Sequence, residues 1–256
     1  MKKQLFALCL FTAQLFAKSE EQLPLIVGTT SGYAPYVSLD AAGKYEGFDI
    51  DLAELLSQKL GRKLVIKDLG SMPTLFLALK QGKVDVLIWA ISITEERMKS
   101  VDMVYYQGEK VTEMPFLFWN TAPEGIRSIE DLAKNSKKGI CVEAGSYQDG
   151  VVKKFSEMQV KYIDKITDAI LEIKFGKALG AMVDPSLVAR FKAQYPEIKV
   201  LNLPLPINEQ ALGNGICINK SQSELSAAVK KAVEELTKEG KIAELEKKWK
   251  ISSGER

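Results

Sequence analysis

The stretch Gly47-Phe48-Asp49-Ile50-Asp51-Leu52-Ala53-Glu54-Leu55-Leu56 decides the architecture. Leu52, Leu55, Leu56 and Leu60 recur at helical spacing, which predicts a helix over 48–60 with one apolar face turned to a core. Asp49 and Asp51 fall in its first turn, beside the positive end of the helix dipole. Short apolar runs flank it. Leu25–Gly28 and Leu64–Ile66 read as strands, and Ser71 caps a second helix that tolerates Pro73 in its first turn. Outward from there, strands at 84–88, 111–119, 139–142, 181–183 and 198–203 alternate with helical patterns, notably 165–176. The alternation predicts an α/β protein with mainly parallel sheets. A long helical pattern from Ser221 to Trp249 closes the chain. Ser221 and Glu224 stand at capping-box spacing, and a break is expected near Gly240.

Two stretches have linker character, 108–113 and the Leu203-Pro204-Leu205-Pro206 run continuing to Asn214. If both are hinges, the middle third forms one lobe and the two ends form the other. The pattern alone is equally consistent with one continuous sheet and ordinary loops.

Composition narrows the chemistry. The 256 residues include no histidine, which removes His-based triads, His-ligated metals and the usual neutral-pH base. Carboxylates, lysine and tyrosine still leave room for proton transfer. The net charge is +2 and the basic residues are scattered, unlike a nucleic-acid groove. Met1-Lys2-Lys3, the apolar run to Phe16 and polar residues from Lys18 read as an export signal over 1–17, too short to span a membrane. Cys9 leaves with it. Cys141 and Cys217 sit in strand-like runs, as buried thiols or as a disulfide that an oxidising compartment permits. No spacing supports a metal site.

The run from Gly47 to Leu52, followed by Leu56 and Leu60, resembles the signature of amino-acid-binding proteins of ABC transporters, the family 3 solute-binding proteins. Further matches follow in that family's order: Gly28-Thr29-Thr30, Tyr33-Ala34-Pro35-Tyr36, Gly82-Lys83-Val84-Asp85, Ser92-Ile93-Thr94-Glu95-Glu96-Arg97, Gly145-Ser146-Tyr147, the strand from Gly180 to Asp184, and Leu212-Gly213-Asn214-Gly215-Ile216. The resemblance implies a two-lobe periplasmic binding protein fold of type II, the Venus-flytrap, with two crossovers between lobes. Residues 18–110 and 208–256 then form lobe 1 and residues 111–207 lobe 2. It also implies a periplasmic, non-enzymatic monomer that passes a free amino acid to membrane permease subunits, with no cofactor, metal or nucleic acid. Surface or lipid tethering stays open.

A free amino acid offers a carboxylate, an ammonium and a side chain. Arg97 has the planar paired donors that suit the carboxylate, and Ser92 adds a hydroxyl. The resemblance assigns both to that role, with backbone donors at Ser146 and Tyr147 from the other lobe. Asp184 is expected to take the ammonium, although an acid before Pro185 also reads as a helix cap. The Ala90 carbonyl is the expected second acceptor. Tyr33 and Trp89 suit the walls of a side-chain pocket, where a flat cation gains about 0.5–2 kcal/mol from aromatic faces. Asp49 is the nearest counter-charge. Thr30 stands where basic-amino-acid binders often carry an aspartate, and Met72 where an aromatic or leucine wall is common. The resemblance is closest to arginine binders, with lysine, ornithine, histidine and glutamine as alternatives. Exported dehydratases of aromatic amino-acid precursors look similar and keep the arginine. They need a general acid, for which Glu143 and Glu46 are the candidates.

Overall fold

The computed structural model describes residues 23–251. The expected export signal over 1–17 lies outside them. The first pass through lobe 1 runs β1 (Leu25–Thr29), a hairpin of β2 (Ser38–Leu39) and β3 (Tyr45–Glu46), α1 (Phe48–Lys59), β4 (Leu64–Asp68), α2 (Met72–Lys80), β5 (Val86–Leu87), α3 (Glu95–Ser100) and β6 (Val101–Gln107). Lobe 2 follows with β7 (Glu113–Trp119), α4 (Ile129–Asn135), β8 (Ile140–Glu143), α5 (Tyr147–Val152), β9 (Val160–Ile163), α6 (Ala169–Lys174), β10 (Gly180–Met182), α7 (Val188–Gln194) and β11 (Ile198–Pro204). The chain returns through β12 (Asn214–Asn219), α8 (Ser223–Lys238) and α9 (Lys241–Trp249).

Each lobe is built on a five-stranded sheet, ordered β4-β1-β5-β12-β6 in the first and β11-β7-β10-β8-β9 in the second. The chain is therefore a two-lobe α/β protein rather than one continuous sheet. The sheets are mixed, which corrects the expectation of mainly parallel pairing. One strand in each runs against the rest, β12 in the first and β7 in the second. Both are the strand that enters a sheet straight after a crossing, where no α-helix intervenes to restore direction. The two crossing segments touch, with the Val111 amide donating to the Ala211 carbonyl at 2.9 Å. Gly213, at φ +90°, lies so close to the other crossing that a Cβ would stand 2.7 Å from the Gly108 carbonyl oxygen.

Lobe 1 closes around Leu25, Val27, Phe48, Leu52, Leu56 and Leu87, all without exposure, with α8 and α9 covering one side. The second sheet buries one face under Phe116, Phe118, Ile129 and Leu132, and the other under Leu117, Ala181, Ile170 and Phe191. Cys141 and Cys217 are buried free thiols in different sheets, so they do not pair. The expected capping box at Ser221 does not form. That hydroxyl donates to Asn219 Oδ1, and the helix starts two residues later at Ser223. The break at Gly240 is present, in the left-handed conformation at φ 73°.

One local detail sets the rim of the cleft. Gly47 precedes α1 at φ 131°, and a Cβ there would stand 2.1 Å from the Tyr36 carbonyl oxygen. That approach lets the Phe48 and Asp49 amides donate to the carbonyls of Pro35 and Tyr36 at 3.0 and 3.1 Å, tying down the Tyr33–Val37 turn. Gly47→Ala is expected to cost roughly 3–5 kcal/mol, because backbone rather than a flexible side chain must move. Urea unfolding checks this; a loss below about 1 kcal/mol would show that the turn yields freely.

Candidate functional site

A cleft lies between the lobes and is lined from both of them. Lobe 1 lines it with Tyr33, Met72, Trp89, Ala90, Ser92 and Arg97. Lobe 2 contributes Glu143, Ser146, Tyr147, Gln148, Asp184 and the apolar side chains of Ile166, Met182, Val183 and Leu187. Eight of the nine residues expected from sequence meet here. Asp49 does not line the space.

Arg97 is set by the start of α3, where Thr94 Oγ1 accepts from the Arg97 amide at 3.2 Å. Its Nη1 donates to the Ser92 carbonyl at 2.8 Å, and its Nη2 reaches across the cleft to the Gly145 carbonyl at 3.3 Å. The guanidinium also lies over the Phe76 ring, 5.8 Å from its centroid. Burial lowers its pKa from the ordinary arginine value. Ser92 is buried and bridges to Asn214 at the start of β12.

On the facing side, Gly145 turns the chain at φ +74° between β8 and α5. Asp149 braces that turn, its Oδ2 accepting from the Gly145 amide at 2.9 Å and from Lys153 Nζ at 2.9 Å. The Ser146 hydroxyl caps α5 by accepting from the Asp149 amide at 3.1 Å. Tyr147 is buried, and its hydroxyl donates to the Glu209 carbonyl. That leaves the Tyr147 backbone rather than its hydroxyl for a ligand. Helix geometry gives the first amides of α5 no acceptor within the helix.

Asp184 follows β10 and opens the turn at Pro185. Its Oδ1 accepts from the Ser186 amide at 2.9 Å and the Ser186 hydroxyl at 2.6 Å, so it caps the turn and lines the cavity at once. Burial raises its pKa above the usual carboxylate value, against the two Ser186 bonds. Glu143 ends β8 and faces the same space. Burial pushes it up to about 7, opposed by a bond from the Ile166 backbone. The sequence alone offers Glu143 only as a candidate catalytic acid. An acid ending an apolar parallel strand is the signal that points to it as a wall of the site, because ligands bind at the carboxyl ends of such strands.

Tyr33 and Trp89 face one another with ring centroids 5.6 Å apart and planes tilted by 58°. Trp89 Nε1 is buried without a hydrogen-bond partner, as are Thr29 Oγ1 and Thr30 Oγ1. Ala90 adopts φ 42°, one of three non-glycine residues with positive φ among the described residues. Behind it, Asp49 is 1% exposed. Its Oδ2 accepts from the Ala90 amide at 2.7 Å and its Oδ1 from the Tyr106 hydroxyl at 2.8 Å. Burial raises it to about 7.

Among the described residues, no ion pair joins Arg97, Glu143 or Asp184 to any side chain. The cavity thus presents one guanidinium and two carboxyl groups without countercharges. No cluster of three or more Cys, Asp or Glu side chains suited to a metal occurs among the described residues, and no described helix is long and apolar enough to cross a membrane.

The model of the bacterial extracellular solute-binding proteins, family 3, matches residues 25–252. A probable ABC transporter arginine-binding protein, ArtJ, from Chlamydia trachomatis is 32% identical over 228 residues, covering 89% of this chain and 86% of the relative. Among solved structures, an ancestral arginine-binding protein bound to arginine matches with a TM-score of 0.76 at 31% identity, over 90% of this chain and 99% of that one. An ancestral amino acid-binding protein, a precursor of cyclohexadienyl dehydratase, matches with a TM-score of 0.73 at 27% identity, over 88% of this chain and 94% of that one. With a match that runs from the first strand past the last helix, the chain belongs to the bacterial extracellular solute-binding proteins of family 3.

Proposed function

We propose that the cavity holds one free amino acid with a cationic side chain, L-arginine before lysine or ornithine, and that the closed protein delivers it to an ABC transporter permease from outside the cytoplasmic membrane. The observation that carries this is the charge inventory of the cavity: one guanidinium and two carboxyl groups, none ion-paired with a described side chain. A dibasic amino acid is its complement, with one carboxylate and two cations. Arg97 and Ser92 take the α-carboxylate together with the Tyr147 amide; the Ser146 amide donates to the Glu143 carbonyl at 3.1 Å, so Ser146 contributes its hydroxyl. Asp184 and the Ala90 carbonyl take the ammonium. Glu143 faces the distal cation, and Tyr33 and Trp89 wall its path. The names of the relatives support the same ligand.

Charged hydrogen bonds contribute roughly 1.5–3 kcal/mol each. Reduced by the cost of ordering ligand and lobes, three or four leave about −8 kcal/mol, near micromolar affinity. The ligand contacts both lobes only when they are together, so it favours closure by its differential affinity. On this reading the lobes divide at 110/111 and 207/208, inside the two crossing segments.

A thermal-shift screen of the twenty amino acids plus ornithine tests the proposal. Arginine is expected to give the largest rise in Tm, with lysine and ornithine next. A rise with glutamine and none with arginine would overturn the cationic assignment. One observation favours a second reading as a dehydratase: Glu143, pushed to about 7 in the cavity, has the protonation of a general acid. We propose a binder instead, which returns a cyclohexadienyl substrate unchanged; product formation would decide for the enzyme.

A further inference from the structure

We infer that Asp49 is a positioning residue, whose buried carboxylate holds the Ala90 peptide in its left-handed conformation so that the Ala90 carbonyl is available to the ligand's ammonium. This rests on the binding mode proposed above. The expected alternative, direct pairing of Asp49 with the ligand's side-chain cation, has little geometric support. Asp49 is 1% exposed and absent from the cavity wall, and both of its oxygens are engaged.

Those engagements have a direction. Oδ2 takes the Ala90 amide at 2.7 Å. Ala90 is the last residue before the segment that carries Ser92, and it holds φ 42°, a region that a residue with a Cβ adopts only when its surroundings impose it. Oδ1 takes the hydroxyl of Tyr106, 57 residues further along the chain and 2% exposed. Tyr106 is in turn fixed by stacking on Phe48, with centroids 6.0 Å apart. Its neighbour Gln107 accepts from Asn214 Nδ2 at 3.0 Å, where β6 leaves lobe 1 and β12 returns. Asp49 therefore bolts the cavity wall at Ala90 to the strand pair at the root of both crossings.

The test uses Asp49→Ala and Asp49→Asn in the full-length protein, with arginine and citrulline as ligands. Citrulline matches arginine in shape but carries no side-chain cation. Asparagine can accept from the Ala90 amide through its carbonyl and donate to the Tyr106 oxygen through its amide. If Asp49 positions Ala90, Asp49→Ala weakens both ligands by the same factor, about 10-fold or more, because the lost contact serves the ammonium common to both. Asp49→Asn recovers most of that loss for both. If Asp49 instead acts as a countercharge, both variants lose arginine and spare citrulline, and the inference is overturned. A ligand-free readout keeps the test independent of the binding proposal. Hydrogen exchange at the Ala90 amide is expected to be slow in the wild type and Asp49→Asn, and at least about 100-fold faster in Asp49→Ala. An unchanged rate in Asp49→Ala overturns the inference. Wild-type protein that binds neither ligand would refute the proposed function, while the exchange rates still decide the role of Asp49.

Discussion

Arg97→Ala is expected to weaken binding of every amino acid by at least about 1,000-fold, or about 4 kcal/mol. No other basic side chain lines the cavity, so no neighbour can replace the lost cation. The geometry makes the effect larger than a single surface charge would suggest. The guanidinium is held at both ends, by Ser92 in its own lobe and Gly145 in the other. An incoming carboxylate exchanges the neutral Gly145 carbonyl for a charge-assisted fork, with no reorientation of the arginine. Isothermal titration measures the loss. An affinity within 10-fold of wild type would remove Arg97 from the carboxylate role and with it the orientation of the ligand. Arg97→Lys should recover little, because an ammonium cannot present paired donors in one plane.

The second large effect is on pH. Burial pushes Glu143 and Asp49 up to about 7, and raises Asp184 as well. A cationic ligand favours the ionised forms of Glu143 and Asp184, which line the cavity, so binding releases protons, and arginine affinity rises with pH up to and through about 7. Below that, each titrating group in contact with the cation contributes up to about 10-fold per pH unit. Glu143→Gln should flatten the profile and reduce arginine affinity at pH 8 by about 10–100-fold, while citrulline changes little. A profile flat from pH 5 to 8 in the wild type would contradict a cation facing Glu143. Ligand-free stability has the opposite sign. The folded protein holds these protons more tightly than the unfolded chain, so the stability present below the ordinary carboxylate range is lost as pH rises through about 7. The loss is on the order of 3–4 kcal/mol for each of Glu143 and Asp49. The ligand-free melting temperature should then fall by at least about 5 °C between pH 5 and 8, and arginine should restore it most at the upper end.

Much of the fold was legible because its elements carry local patterns. The leucine spacing in α1 and the apolar run of β1 announce themselves without tertiary information. The reversed strands β7 and β12 were not legible as reversed, because direction depends on which sheet a strand joins after a crossing. Strand β6 was missed. Its run Val101-Asp102-Met103-Val104-Tyr105-Tyr106-Gln107 mixes inward and outward residues on a sheet edge and shows no clean alternation. The site divides in the same way. Arg97, Ser92 and Asp184 stand in motifs, and their placement at the cavity follows the motif order. The role of Asp49 depends on Tyr106, and that of the Gly145 turn on Asp149. Those partners become visible only once the chain is folded.

The placement of Cys141 and Cys217 in separate cores has a practical reach. Burial raises both thiols, to about 11 and about 12, so neither is reactive in the native state. Each half of the molecule carries its own silent chemical label, which alkylation exposes only when that half opens. Peptide mapping of the two labels would therefore resolve whether the halves melt as one unit or in turn, and which of them a bound amino acid protects more.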